Sequence, residues 1–244
     1  MSKFENSAFF GEIWAHDYDG DGTWGADPGE VEFLADLAGN GRALELAIGT
    51  GRVGLPLAAR GVPVEGIEAS EKMVAMLRAK PGGEQIPVTI ADMADVPVEG
   101  PFRLAYLIFN TLFNLIDVNR QAECLRNVAR VLEPGRAFVV ECPVSDQRRR
   151  DGGRHLEVLE VTEDSATIEV SDFDAATQHS RTQKITFTDA GVRLRPHFEG
   201  YTWPDELDQM AAAAGLRLGE RYADWHRQPF GPESSAHISV YRPA

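Results

Sequence analysis

Residues 43–52 read Ala43-Leu44-Glu45-Leu46-Ala47-Ile48-Gly49-Thr50-Gly51-Arg52, an apolar run broken by one acid that ends in a glycine-rich turn. The pattern predicts a short buried strand over 43–48 that turns through Gly49-Thr50-Gly51 into a helix reaching about Arg60. Glycine lets the backbone approach a ligand closely, and a helix N-terminus offers unpaired N–H groups. Outward from this stretch the same alternation recurs. Asp27 and Pro28 suit an N-cap and first helical position, and Val31, Leu34, Leu37 and Ala38 share a face before Gly39-Asn40-Gly41. Strands are expected at 62–67, 87–90, 104–109 and 137–142, with helices at 70–80 and 119–132. Strands alternating with helices of this length predict an α/β fold, a doubly wound and mostly parallel sheet.

After Ser145 the period shortens. Leu156, Val158 and Val161, then Ile168 and Val170, then Ile185 and Phe187, then Val192 and Leu194 fall in runs closer to period two, with turn residues between them. About four antiparallel strands are expected across 151–201, inserted into a core made of 27–150 and 202–244. Emerging at the sheet's ligand-bearing edge, they suit a roof over a substrate pocket or a contact with a second subunit. A helix capped by Thr202, carrying Leu207, Met210, Ala211 and Ala214 on one face, and two strands at 216–222 and 236–241 close the chain.

Composition narrows the function. The 244 residues are 43% hydrophobic and 25% charged, with a formal net charge of −14. Such acidity disfavours a nucleic-acid partner, whose binding rests on neutralising phosphates. No apolar run approaches the roughly 20 residues that span a bilayer, and the N-terminus has no secretory pattern. The two cysteines, Cys124 and Cys142, form no C-x-x-C and exclude a disulfide scaffold. A soluble, acidic, cytoplasmic protein is expected, with neither membrane nor metal.

Gly49, Gly51 and Gly54 spell G-x-G-x-x-G, the fingerprint of dinucleotide-binding folds. Glu68, ending the second strand, is placed to accept hydrogen bonds from both hydroxyls of a ribose. Those two features serve a nicotinamide dinucleotide or another adenosine-containing ligand equally well. Three others separate the two. Glu45 lies inside the first strand, where a dinucleotide-binding strand is usually apolar. Asp92 ends the third strand 24 residues after Glu68, within reach of an adenine amino group. Residues 127–136 form a helix, a Pro-Gly turn and a buried strand.

With these segments in order, the sequence resembles the class I S-adenosylmethionine-dependent methyltransferases over about residues 27 to 145. The matching segments are 44–52, 68–73, 92–93, 109–111 and 131–135. The resemblance implies a Rossmann-like seven-stranded sheet of order 3-2-1-4-5-7-6 with the last strand antiparallel. It implies methyl transfer from S-adenosyl-L-methionine, with S-adenosyl-L-homocysteine as product, to a nitrogen or oxygen of a small molecule. By the same resemblance Ala47, Gly49 and Gly51 lie against the methionine part of the cofactor and Glu45 organises their loop. Glu68 holds the ribose, Ala69 and Met73 flank the adenine, Asp92 and the Met93 N–H meet its polar edge, and Phe109 and Asn110 lie between cofactor and substrate. Ala47 departs from the family pattern, which has glycine there; it adds one methyl and keeps the N–H. An NAD-dependent oxidoreductase and a non-catalytic cofactor-binding module are the rival readings.

Residues 1–26 carry aromatics without a continuous helical stripe and are interrupted by Gly20, Gly22 and Gly25. This suits a lid ordered by ligands, and the resemblance points to Tyr18 as its cap on the methionine end. The stretch His16-Asp17-Tyr18-Asp19-Gly20-Asp21-Gly22 begins like a calcium loop, but its twelfth position is Pro28 where a bidentate Glu is needed. Among six histidines, His16 in the lid and His226 between the last two strands are the candidate catalytic bases.

Overall fold

The computed structural model describes residues 7–19, 26–144 and 151–244, the side chains of His16 and Asp17 excepted. In chain order the first part comprises α1 (Phe9–Tyr18), α2 (Pro28–Ala38), β1 (Ala43–Leu46), α3 (Gly54–Ala59), β2 (Val64–Glu68), α4 (Glu71–Arg78), β3 (Val88–Ile90), β4 (Phe102–Leu107), α5 (Val118–Val131) and β5 (Leu132–Pro143). An antiparallel meander follows, β6 (Gly153–Val161), β7 (Ser165–Asp174), β8 (His179–Thr188) and β9 (Gly191–Gly200). The chain ends with α6 (Pro204–Ala213), β10 (Leu216–Tyr222) and β11 (Ala236–Pro243).

The main sheet has seven strands in the order β10-β11-β5-β4-β1-β2-β3. Strands β1 to β5 run parallel, and β11 pairs antiparallel with both β5 and β10. This is the expected topology read from its other edge. Alternation along each strand sends side chains to two cores. Leu44 and Leu46 meet Leu125 and Val128 of α5 on one face, while Ala43, Leu104 and Tyr106 meet Phe33 and Leu34 of α2 on the other. Strands buried on both faces read as near-continuous apolar runs, which is why one buried acid, Glu45, stands out in β1. Asp27 caps α2 as expected, its Oδ1 accepting from the Gly29 N–H at 2.7 Å. No helix among the described residues is long and apolar enough to cross a membrane.

Four local expectations change. The helix after the glycine turn starts only at Gly54. Strand β4 stops at Leu107, so Phe109 and Asn110 lie beyond it, both left-handed, with φ of 58° and 60°. Phe10, Trp14 and Tyr18 recur every fourth residue along α1, Phe10 stacking on Trp14 at 5.6 Å and meeting Tyr18 edge-on at 6.2 Å, so the segment does carry an aromatic stripe. Thr202 does not cap α6: Trp203 holds that position, its N–H donating to the Glu206 carboxylate at 2.9 Å.

Thr202 serves the junction between the sheets instead. Its hydroxyl donates to Gln121 Oε1 at 2.6 Å, while Gln121 Nε2 donates to the carbonyls of Leu115 at 2.9 Å and Gly200 at 2.6 Å. The buried Gln121 side chain thus ties α5 to the end of β9, where the meander rejoins the core. Gln121→Leu keeps the volume and strands a hydroxyl and two carbonyls, each costing about 1–3 kcal/mol when buried without a partner. Thermal unfolding should show a loss of about 2–4 kcal/mol; an unchanged melting temperature would mean that water replaces the amide.

Candidate active site

Beneath α1, at the C-terminal ends of β1, β2 and β4, a cavity is lined by Phe10, Gly11, Tyr18, Ala47, Gly49, Glu68, Ala69, Met73, Met93, Thr111, Asn114 and Leu115. Ligands of open α/β sheets bind at this edge. Ala47, with φ of 53°, and Gly49, with φ of 57°, start the loop in left-handed backbone. An alanine pays roughly 1–2 kcal/mol for that conformation, so the position where the family has glycine is a real departure. Gly51 turns its Cα side inward, where a Cβ would sit 2.3 Å from Leu77 Cδ1; its glycine is needed for packing rather than for lining the cavity.

Two carboxylates hold the loop from opposite sides. Glu68 Oε2 accepts from the Gly49 N–H at 2.9 Å and Oε1 from the Ser70 N–H at 2.8 Å. Burial pushes its pKa up, and those backbone donors pull the other way. The Ala69 N–H also donates to this carboxylate, which keeps an acceptor site for a ligand hydroxyl. Glu45 lies under the loop, receiving the Tyr106 hydroxyl at 3.0 Å and a backbone hydrogen bond from Gly54. A Cβ at Gly54 would stand 2.6 Å from that carboxylate, so glycine is required for the approach. Burial pushes Glu45 up to about 8.

Beside it Arg52 donates to both Glu30 oxygens, at 2.9 and 3.0 Å, from a mostly buried position, and lies 5.1 Å over the Phe109 ring. The Phe109 N–H donates to Glu141 Oε2 at 2.7 Å, and Trp225 Nε1 donates to Glu141 Oε1 at 3.1 Å. These bonds hold Phe109 and Asn110 in their strained conformation, as expected where strain serves a site.

Helix α1 closes the cavity. Asp19 just beyond it accepts from the Thr50 hydroxyl at 2.8 Å and pairs with Lys80 at 2.8 Å; Glu12 pairs with Lys72 on α4. Gly11 packs so closely on Ser70 that a Cβ there would lie 2.3 Å from Ser70 Cβ. Burial pushes the Tyr18 hydroxyl up to about 12, so it is neutral at physiological pH.

A second cavity, of about 400 Å³, lies on the other side of α1, between Phe109, Asn110 and the inner face of the meander. Phe10, Tyr18, Thr111 and Asn114 line both cavities. The meander contributes Glu169, Ser171, Phe173, Thr182, Lys184, His197 and Glu199. His197 Nε2 is 3.0 Å from Asn114 Oδ1 and 3.9 Å from Glu199 Oε1, and Ser180 donates to Glu199 Oε2 at 3.1 Å. Composition and motif reading missed this wall; the signal was the alternation of Arg193, Arg195, His197 and Glu199 against Val192 and Leu194.

The structure therefore brings Tyr18, Ala47, Gly49, Glu68, Ala69, Met73 and Met93 to the first cavity, and Phe109 and Asn110 to the second. Asp92 stands at the neighbouring groove, accepting from the Ala94 N–H at 2.8 Å and pairing with Arg120 at 3.3 Å. His226 lies outside both cavities: its Nε2 is 3.8 Å from Asp27 at the start of α2, and it lines a shallow surface depression with Phe33 and Asp36. The His16 side chain, and residues 20–25 of the calcium-loop-like stretch, lie outside the described residues.

A carboxylate under backbone amides, an apolar slot walled by Met73, Met93 and Leu115, and a left-handed glycine loop at the sheet edge define a nucleoside-binding α/β enzyme. A family model described as a methyltransferase domain matches residues 43–135. The solved structure of the CcbJ methyltransferase from Streptomyces caelestis is 34% identical, with a TM-score of 0.86 over 99% of this chain and 98% of that one. The cypemycin N-terminal methyltransferase of a Streptomyces species is 26% identical over 200 residues, 81% of each chain. CalS10, an amino pentose methyltransferase from Micromonospora echinaspora solved with S-adenosylmethionine bound, shares the fold with a TM-score of 0.70 at 21% identity, over 94% of this chain and 96% of that one. The chain belongs to the class I S-adenosylmethionine-dependent methyltransferases. Its cofactor is S-adenosylmethionine and the product S-adenosylhomocysteine. This decides between the two readings of the G-x-G-x-x-G stretch. The donor set fits: a buried carboxylate with a spare acceptor site suits a ribose hydroxyl, and the methionine-lined slot suits a base.

Two measurements test the loop. Charge-assisted hydrogen bonds are worth roughly 1.5–3 kcal/mol each, so Glu68→Ala should weaken S-adenosylhomocysteine binding at least tenfold by calorimetry. Because Glu68 also holds Gly49 and Ser70, a lower melting temperature should accompany it, whereas a purely ligand-facing acid would leave the apo protein unchanged.

Glu45 makes stability fall with pH. Its carboxyl titrates at the ordinary 4.5 when unfolded and near 8 when folded, so between these values the folded chain keeps a proton that the unfolded chain has released. The stability it contributes is complete below the unfolded value and is lost as pH rises through the folded one. Glu45→Gln should melt increasingly above the parent protein between about pH 5 and pH 8. Parallel melting curves across that range would show the carboxylate to be ionised throughout.

Proposed function

We propose that this methyltransferase acts on an amine nitrogen of a small molecule held in the second cavity, under the four-stranded meander. The observation carrying this reading is the wall that the two cavities share, Phe10, Tyr18, Thr111 and Asn114, which sets a substrate group against the place where the cofactor's reactive end would lie. Bound S-adenosylmethionine supplies a methyl carbon on a positively charged sulfur, open to in-line attack by a lone pair. What remains for the chain is to collect the nucleophile, deprotonate it and hold it in line, and positioning supplies much of the rate.

Two carboxylates, Glu169 and Glu199, outnumber the one lysine of this wall, Lys184, the cross-strand neighbour of Glu169, and a net negative wall attracts an ammonium group. His197 stands between Glu199 and Asn114, where its imidazole can take the surplus proton and expose the nitrogen lone pair. Neutral Tyr18 and the aromatic face of Phe10 keep water from the reacting centre. The Streptomyces relative named for the N-terminus of cypemycin supports nitrogen as acceptor. In this reading α1, within residues 1–26, acts as the cover of the cofactor, and 151–201 act as the substrate roof.

The test uses S-adenosylmethionine with a deuterated methyl group and paired substrates, each scaffold offered as amine and as hydroxyl, with products located by mass spectrometry and NMR. Label on nitrogen is expected. Glu199→Gln should raise KM for the amine by about tenfold with a smaller change in kcat, and His197→Asn should move the rising limb of the kcat/KM profile to higher pH. Methylation of the hydroxyl partner alone would overturn the reading.

A further inference from the structure

The meander has two unlike faces. Its inner face carries the polar cavity wall, and pairing register assigns the alternate residues to the outer face. One cross-strand row there is Val158, Ile168, Ile185 and Leu194. The row nearer the hairpin tips is Val161, Ala166, Phe187 and Val192, and the row nearer the core runs Leu156, Val170, Gln183, Pro196. Much of this surface is open: Leu156 is 66% exposed, Val158 59%, Val161 72%, Val192 62% and Leu194 58%. Isolated apolar residues on a surface need no explanation, but a contiguous patch across four strands marks an interaction site.

Charge frames the patch unequally. The hairpin tips carry Glu163 and Asp164 between β6 and β7 and Asp189 between β8 and β9. At the other end, one row beyond Leu156 and Pro196, lie Arg154, Asp172, Arg181 and Phe198. We infer that this face is the interface with a second copy of the chain, packed sheet on sheet about a two-fold axis that crosses the strands at the Val158–Leu194 row. That axis lays the tip row of each copy on the Leu156–Pro196 row of the other. It also sets the acidic tips over the two arginines of the row beyond, Asp189 over Arg181 and Glu163 and Asp164 over Arg154, which lies 3.7 Å from Asp172 of its own copy. A two-fold contact demands self-complementarity of this kind. From strand spacing and rise the face measures roughly 20 by 30 Å, so a pair buries on the order of 1,200 Å², the lower bound for a specific interface. The inner face of the same strands forms the substrate wall, so the contact also stiffens the site.

Sedimentation velocity on the full chain, at concentrations from about 1 to 100 µM, is expected to give a species of twice 26.8 kDa. Ile185→Glu with Leu194→Glu places four carboxylates at the axis of a pair and should yield monomer that still binds S-adenosylhomocysteine. Arg181→Glu should weaken the dimer at least tenfold at low salt, and adding Asp189→Lys should restore it, a rescue that unfolding of the meander cannot mimic. A parent chain that stays monomeric at 100 µM, or a dimer indifferent to both sets of changes, overturns the inference.

Discussion

A carboxylate inside a dry parallel sheet is tolerated only if donors converge on it or a proton neutralises it, and the cofactor end of this enzyme is arranged around that requirement at Glu45. Tyr106 from the next strand and the Gly54 amide from the start of α3 supply the donors. To meet them, the chain after β1 must fold back over the carboxylate, which obliges Ala47 and Gly49 to take left-handed backbone. The same fold-back presents the Gly49 N–H to Glu68, so the acid beneath the loop and the acid beside it fix one geometry between them. Arg52, itself paired with Glu30, stands beside the Glu45 carboxyl and carries the constraint on to Phe109 through its ring.

Much of this was legible in the sequence because parallel strands announce themselves. The ends of β1 and β2 could be located from apolar runs and glycine turns, so Gly49 and Glu68 fell at one sheet edge from the pattern alone. The resemblance to methyltransferases added Ala47, Ala69, Met73, Met93 and Tyr18. What stayed hidden depends on contacts between elements distant in the chain. Nothing local says that Glu141 on β5 meets the Phe109 amide, or that Gln121 on α5 receives Thr202. His226 read as a site residue because its loop follows a strand ending near the ligand edge, yet the loop folds back toward α2. In the meander every second residue is polar, and alternation alone does not say which face meets the protein, so His197 and Glu199 went unremarked until register and packing assigned them inward.

The division of labour follows from the same geometry. The parallel sheet supplies the cofactor edge, whose residues are fixed by strand ends. The meander supplies the wall of the second cavity, with the Glu199 carboxylate and the His197 imidazole facing inward, and an apolar back. The Gln121 hub, His197 against Asn114, Gln178 against Glu206 and Trp14 on the Pro196 carbonyl join it to the core. These contacts end on α1, α5, α6 and the turn after β4, whereas the Glu45–Glu68 framework is built from β1, β2 and the loop after β1.

Helix α1 belongs to both cavities through Phe10 and Tyr18, and this has a thermodynamic consequence. A wall shared by two ligands cannot respond to one without altering the terms offered to the other. If the cofactor orders Tyr18 and so tightens substrate binding by some factor, the substrate must tighten cofactor binding by the same factor, because the free energy around the cycle closes. The departing product then loosens as soon as its neighbour leaves. With cofactor and substrate placed as proposed, an aromatic partition of two residues would couple the arrival of the two substrates, and the release of the two products, with no movement of the sheet beneath.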